Sequence, residues 1–170
     1  MAKVLTFSTK FPSYHPKKGQ VTNFVEKIWL WLVNEDGHSE PQYFDEYKDL
    51  VDIMTVLRQE YTKRHTVRGG SRFKAGDYFS PRIWSGKPYN SKQITIAPDI
   101  KIERVFDFKM EGYHIWINKE LYCQYRLSDK IVKLAANDGL SLQEFWDWFP
   151  CKPGKIFEGQ IICWAKGIEY

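Results

Sequence analysis

The chain has 170 residues, of which 43% are hydrophobic, 27% are charged and 16% are aromatic, with a net charge of +4. That is the size of one ordinary domain. The aromatic content excludes the disordered class, and the small net charge excludes a bulk cationic binder of the histone kind.

In chain order, residues 3–7 read as an opening strand, and 11–20, with two prolines and a glycine, as a loop. Asn23 with Glu26 three residues on resembles a helix N-cap arrangement, with a helix to follow through Phe24, Val25, Ile28, Trp29 and Leu32. Residues 34–41 read as a polar connection. Segment 45–61 carries Tyr47, Leu50, Ile53, Met54, Leu57 and Tyr61 at three- and four-residue steps, the spacing of an amphipathic helix. β-Branched and aromatic runs then predict strands at 78–84, 93–97, 101–108 and 113–118, with Glu111-Gly112 as a turn. Residues 128–137 read as a helix that Asp138-Gly139 stops. Ser141 and Glu144 form a capping-box pattern, with Leu140 and Phe145 placed as a staple. A helix ending at Pro150 and an apolar strand at 160–166 complete the chain. The first and last strands are expected to pair. The fold class is therefore α+β, a small domain around a mostly antiparallel, curled sheet or barrel with flanking helices.

Cys123, Cys151 and Cys163 are widely spaced, which favours neither a disulfide framework nor a zinc site. No metal or other cofactor is expected. No signal-peptide pattern opens the sequence, and the longest apolar run, 28–33, is far short of the roughly 20 residues that cross a bilayer. A cytoplasmic setting without a membrane partner is the expectation. The oligomeric state is open.

The charge is uneven. Between Arg58 and Lys92 stand nine cations and two acids, a local +7, so the remainder of the chain carries −3. Phe73, Tyr78, Phe79, Trp84 and Tyr89 interleave with these cations. Cations neutralise phosphates, and aromatic faces stack unpaired bases at roughly 1–3 kcal/mol each. The pattern points to a single-stranded nucleic acid, a flipped base or a nucleoside. The alternative is a solvated basic face whose aromatics are core. Arg64, Arg68, Arg82, Trp84, Lys87, Tyr89 and Lys92 are the candidate ligand-binding residues.

Lys63-x-x-Thr66-x-Arg68, then Gly76-Asp77 before a strand, then Ala-Asn-Asp-Gly-Leu at 136–140 heading an aromatic helix, resembles the ASCH domain of the PUA-like superfamily. The resemblance covers roughly 61–164, and the whole chain looks like a larger, phage- or bacterium-type member. It implies one domain over 1–170, with a helical addition at 21–60 and a motif-bearing core at 61–166. It also implies a β-barrel whose cleft faces RNA or a nucleoside. Some small members are similar to amidohydrolases that deacetylate N4-acetylcytidine; others are similar to ribonucleases or RNA binders. Carried over, Lys63 matches the base, Thr66 the nucleophile and Asp138 the acid, one carbon shorter than the family's Glu. A Thr hydroxyl needs a neighbour to take its proton, and Lys63 does so only with a lowered pKa. RNA or nucleoside binding is therefore the leading expectation. Hydrolysis and a protein-interaction role, the latter through the exposed face of 45–61, stand as alternatives.

Overall fold

The computed structural model describes residues 1–36, 45–149 and 154–170. Pro150, Cys151 and most of the predicted polar connection lie outside the described residues. Contacts divide the chain into two compact units. Unit 1 comprises Met1–Lys63 and Asp77–Lys101, and unit 2 comprises Arg64–Gly76 and Ile102–Tyr170. The architecture is α+β, with two sheets of mostly antiparallel strands. No closed barrel is present among the described residues.

Unit 1 holds strand β1 (Lys3–Thr6), helices α1 (Phe24–Asn34) and α2 (Ile53–Leu57), and strands β3 (Tyr78–Trp84), β4 (Gln93–Thr95) and β5 (Ile100–Lys101). Its sheet runs β1-β3-β4, with β5 also on β3. β1 lies parallel to β3, Leu5 facing Pro81, whereas β4 and β5 are antiparallel to it. α1 buries Phe24, Val25, Ile28, Trp29, Leu30, Trp31 and Leu32, so it is apolar nearly all round, as a core helix must be. The Trp29 indole N–H donates to the Ile96 carbonyl at 2.8 Å, satisfying a buried donor.

Two expectations fail here. Asn23 does not cap α1 with its side chain; it adopts φ 54°, the left-handed conformation that Asn tolerates better than most residues. The long amphipathic helix at 45–61 is also absent. The chain turns after Tyr47, whose carbonyl accepts from the Leu50 and Val51 amides, and restarts at Asp52. Asp52 caps α2 by accepting from the Met54 and Thr55 amides and the Thr55 hydroxyl. Those bonds, the Thr55 hydroxyl's first, hold its carboxyl below the usual range. A short acidic side chain favours such a cap over a helix interior. Val51 and Val56 are buried, while Leu50, Ile53, Met54 and Leu57 are exposed.

Unit 2 holds strand β2 (His65–Gly69), strands β6 (Arg104–Glu111), β7 (His114–Ile117) and β8 (Glu120–Cys123), helices α3 (Asp129–Asn137) and α4 (Leu142–Trp148), and strand β9 (Ile156–Cys163). Its antiparallel sheet runs β2-β9-β6-β7-β8. The expected pairing of first and last strands is therefore wrong: β1 pairs β3, and β9 lies between β2 and β6. The single strand expected at 101–108 is two, β5 and β6, broken at Ile102 and Glu103. β9 starts four residues earlier than expected. It ends at Cys163 because the Trp164 and Ala165 amides both turn to the Arg64 carbonyl.

Capping in unit 2 follows the sequence closely. Ser128 accepts from the Ile131 amide to start α3, and Gly139 at φ 73° ends it, with the Leu140 amide returning to the Ala135 carbonyl. Ser141 and Glu144 form a reciprocal capping box, the Ser141 amide donating to Glu144 Oε2 at 2.8 Å and the Glu144 amide to Ser141 Oγ at 3.2 Å. Leu140 and Phe145 are fully buried on either side of that cap. Phe145, Phe149, Phe157 and Phe108 then form a chain of tilted and edge-on aromatic contacts between α4 and the sheet.

Candidate nucleic-acid interface

The contiguous basic segment of the sequence is divided by the fold. Arg58, Lys63, Arg82, Lys87 and Lys92 fall in unit 1, and Arg64, Arg68, Arg72 and Lys74 in unit 2.

In unit 1, β3 and β4 form a hairpin in register Arg82 to Thr95 and Trp84 to Gln93. Residues two apart on a strand share a face, so Arg82 and Trp84 point the same way. The connecting loop ties itself together. The Gly86 amide donates to Ser91 Oγ at 3.0 Å, Ser91 Oγ donates to the Lys87 carbonyl at 2.9 Å, and the Asn90 amide donates to the same carbonyl at 3.1 Å. Pro88 fixes one backbone angle within it, and Tyr89 takes φ 64°. That conformation leaves the Tyr89 side chain 88% exposed, with its ring 5.4 Å from the Trp84 ring and tilted by 50°. Arg82 is held by Ser80 Oγ (3.3 Å) and Gln93 Oε1 (3.5 Å), which leaves most of its donors unused. Lys87 and Lys92 are exposed. No acid occurs between Asp77 and Asp99, and none of the three cations has an ion-pair partner among the described residues. Five of the sequence candidates thus share one hairpin.

Lys63 also belongs to unit 1, and it is 1% exposed. Its amide donates to the Lys27 carbonyl at 3.1 Å, and its ammonium stands 4.0 Å from the centre of the Phe24 ring. This is a cation–π arrangement in a dry setting.

In unit 2, the start of β2 packs on the end of α3. The Arg64 amide donates to the Asn137 carbonyl at 2.7 Å, and its guanidinium reaches Asn137 Oδ1 at 3.5 Å. Asn137 Nδ2 donates to the Tyr170 hydroxyl at 3.0 Å, and that hydroxyl shares a 2.7 Å hydrogen bond with His65 Nδ1. Thr66 and Asp138, both 4% exposed, flank this chain in sequence. Burial pushes the Tyr170 hydroxyl and the Cys163 thiol up, and the nearby Asp138 carboxylate adds to both shifts. Arg68 lies opposite Gln160 at the half-buried end of β2. Asn137 and Tyr170 escaped the sequence reading: Tyr170 stands 105 positions from His65, with no local pattern to join them.

Among the described residues, no group of three or more His, Cys, Asp or Glu side chains could hold a metal ion, and no helix is long and apolar enough to cross a membrane. Comparisons with protein-family models, curated proteins and solved structures found no match.

Proposed function

We propose that the chain binds single-stranded RNA through the β3–β4 hairpin. One observation carries this: Trp84 and the exposed Tyr89 lie ring to ring on a hairpin with three cations and no acid. An unpaired base stacks on such rings whatever its identity, while Arg82, Lys87 and Lys92 attract the backbone. The resemblance of 61–164 to the ASCH domain points to the same ligand class. Fluorescence anisotropy with a labelled RNA oligomer tests it. Lys87→Ala with Lys92→Ala removes two phosphate contacts and lowers the salt slope by about 1.4. An unchanged slope and affinity would refute the proposal, and a DNA oligomer of the same sequence measures the contribution of the 2′-hydroxyl.

Burial favours this binding reading over hydrolysis of an acylated cytidine. Lys63, Thr66 and Asp138 are 1%, 4% and 4% exposed, whereas Lys87, Tyr89 and Lys92 of the hairpin are exposed and Arg82 and Trp84 are half-buried. Acetate release from N4-acetylcytidine that disappears in Thr66→Ala would reverse that preference. A protein-interaction role has one observation of its own, the exposure of Leu50, Ile53, Met54 and Leu57. A monomeric mass in sedimentation, with no larger complex recovered from cells, counts against it.

A further inference from the structure

Unit 2 carries a second feature that the hairpin reading does not use. A groove of about 470 Å³ opens on one face of the five-stranded sheet, lined by Asp107, Lys109, Trp116, Lys119 and Glu158, with Phe108 and Gly159 at its floor. The volume lies within the range of small-molecule sites, about 300–1,000 Å³. The strand register explains the grouping. Lys109 on β6 stands opposite Glu158 on β9 and opposite Trp116 on β7, so the three side chains form one row across the sheet. Asp107 is two residues along β6 and therefore on the same face. The Asn118 side chain accepts from the Asp107 amide at 3.0 Å, and the Asn118 amide donates to the Asp107 carbonyl at 3.0 Å. This double tie sets the turn that holds Lys119 beside Asp107.

The charges in this row do not neutralise one another. Lys109 faces Glu158 in register, yet its ammonium lies over the Trp116 ring, 5.2 Å from the centroid. Among the described residues, neither Asp107 nor Glu158 forms an ion pair or a carboxylate hydrogen bond, and Lys119 forms no ion pair. The groove therefore presents an indole, two acceptor-only carboxylates and two ammonium donors, with zero net charge. A planar, uncharged ligand can satisfy all of these together. It carries adjacent N–H donors on one edge and carbonyl or ring-nitrogen acceptors on another. Phosphate is disfavoured by Asp107, Glu158 and the neighbouring Glu111.

We infer that this groove binds a neutral purine base or nucleoside of the guanine type, which displaces the Lys109 ammonium from the Trp116 ring and stacks there, on the indole that His114 backs, with a carboxylate of Asp107 or Glu158 accepting from its paired N–H groups. A carboxylate takes two parallel N–H bonds, as it does from a guanidinium. The inference does not rest on RNA binding by the hairpin, and either can fail without the other.

Calorimetry on the full chain tests it with guanosine, adenosine, uridine and guanosine monophosphate. Saturable one-site binding of guanosine is expected, about tenfold or more tighter than adenosine, which lacks the paired N–H edge. The monophosphate is expected to bind more weakly than guanosine. Asp107→Asn with Glu158→Gln keeps size and shape at two exposed positions, and it should lower guanosine affinity about tenfold or more with an unchanged circular dichroism spectrum. The inference is overturned if no nucleoside saturates the protein, if adenosine or the monophosphate binds as tightly as guanosine, or if the double variant binds as the parent does.

Discussion

The β3–β4 hairpin and the end of α3 both gather polar and aromatic side chains, and they use them in opposite ways. On the hairpin, Arg82, Lys87 and Lys92 have no acid near them in sequence, and Tyr89 stands in solvent. At the end of α3, Arg64, His65, Asn137 and Tyr170 are joined in one hydrogen-bonded chain. Buried polar groups must find partners, so a chain of this sort fixes a structure. Exposed cations such as Lys87 and Lys92 cost little to leave free and are available to a ligand. The residues that carry the ASCH resemblance, Lys63, Thr66 and Asp138, fall on the buried side of this contrast.

The largest expected effect breaks the buried side. Gly159 on β9 faces Gly69 on β2, and a Cβ at Gly159 would lie 2.0 Å from the Arg68 carbonyl oxygen. Gly159→Ala must push β2 away from β9 and disturb the strand that carries His65 and Thr66. A loss of about 3 kcal/mol is expected, the upper end of the overpacking range. Chemical denaturation reads it as a lower midpoint with an unchanged slope. Parent-like stability would mean that the two strands have freedom to separate that their register does not suggest.

Much of the fold was legible because the signals were local. Ser128, Gly139, Ser141 and Glu144 state their helix ends within a few residues, and β3 is bounded as the β-branched and aromatic run suggested. The failures were of other kinds. The stripe at 45–61 has helical spacing, but Asp52 offers the backbone a better cap than a continuous helix does. β8 was missed because its hairpin turns on Asn118-Lys119, both at positive φ, without the glycine that signals such a turn. The site was less legible. The five hairpin candidates cluster in space because they were close in sequence. The partners of His65 and the row at Trp116 depend on strand order, which no local pattern encodes.

The next effect sharpens the exposed side. Trp84→Ala removes one stacking surface and leaves Tyr89 without its neighbour. It should weaken binding of a single-stranded RNA by about 1–3 kcal/mol, roughly fivefold to 150-fold, at constant salt. Trp84→Phe should retain most of the affinity. Anisotropy titration separates the two, and equal losses in both variants would mean that the indole is structural.

Tyr170→Phe tests the buried side by a smaller change. It keeps the ring contacts with His65, Phe106 and Tyr122 and removes only the hydroxyl shared by Asn137 and His65. Leaving those groups short of a partner costs about 1–3 kcal/mol of stability. RNA affinity should not move, because the hydroxyl belongs to the network and not to the hairpin. A loss of affinity at unchanged stability would place Tyr170 in a ligand site.

The smallest effect is a pH dependence. Burial first, and then the Cys123 thiol, push the Tyr122 hydroxyl up to about 12 from its usual 10. The hydroxyl donates to the Lys130 carbonyl at 3.1 Å, a bond that the ionised form cannot make. Below pH 10 the hydroxyl is neutral in both the folded and the unfolded chain, and its contribution is fully present. Between pH 10 and about 12 the unfolded chain releases this proton while the folded chain keeps it, so stability falls through that window. Tyr122→Phe removes the proton and should flatten part of the decline between those limits, while lowering stability modestly at neutral pH through the lost hydrogen bond. Thermal melts of parent and variant at pH 8 and pH 11 measure the difference. An equal drop in both would assign the alkaline loss to other groups, among them Tyr170, whose hydroxyl is shifted in the same direction.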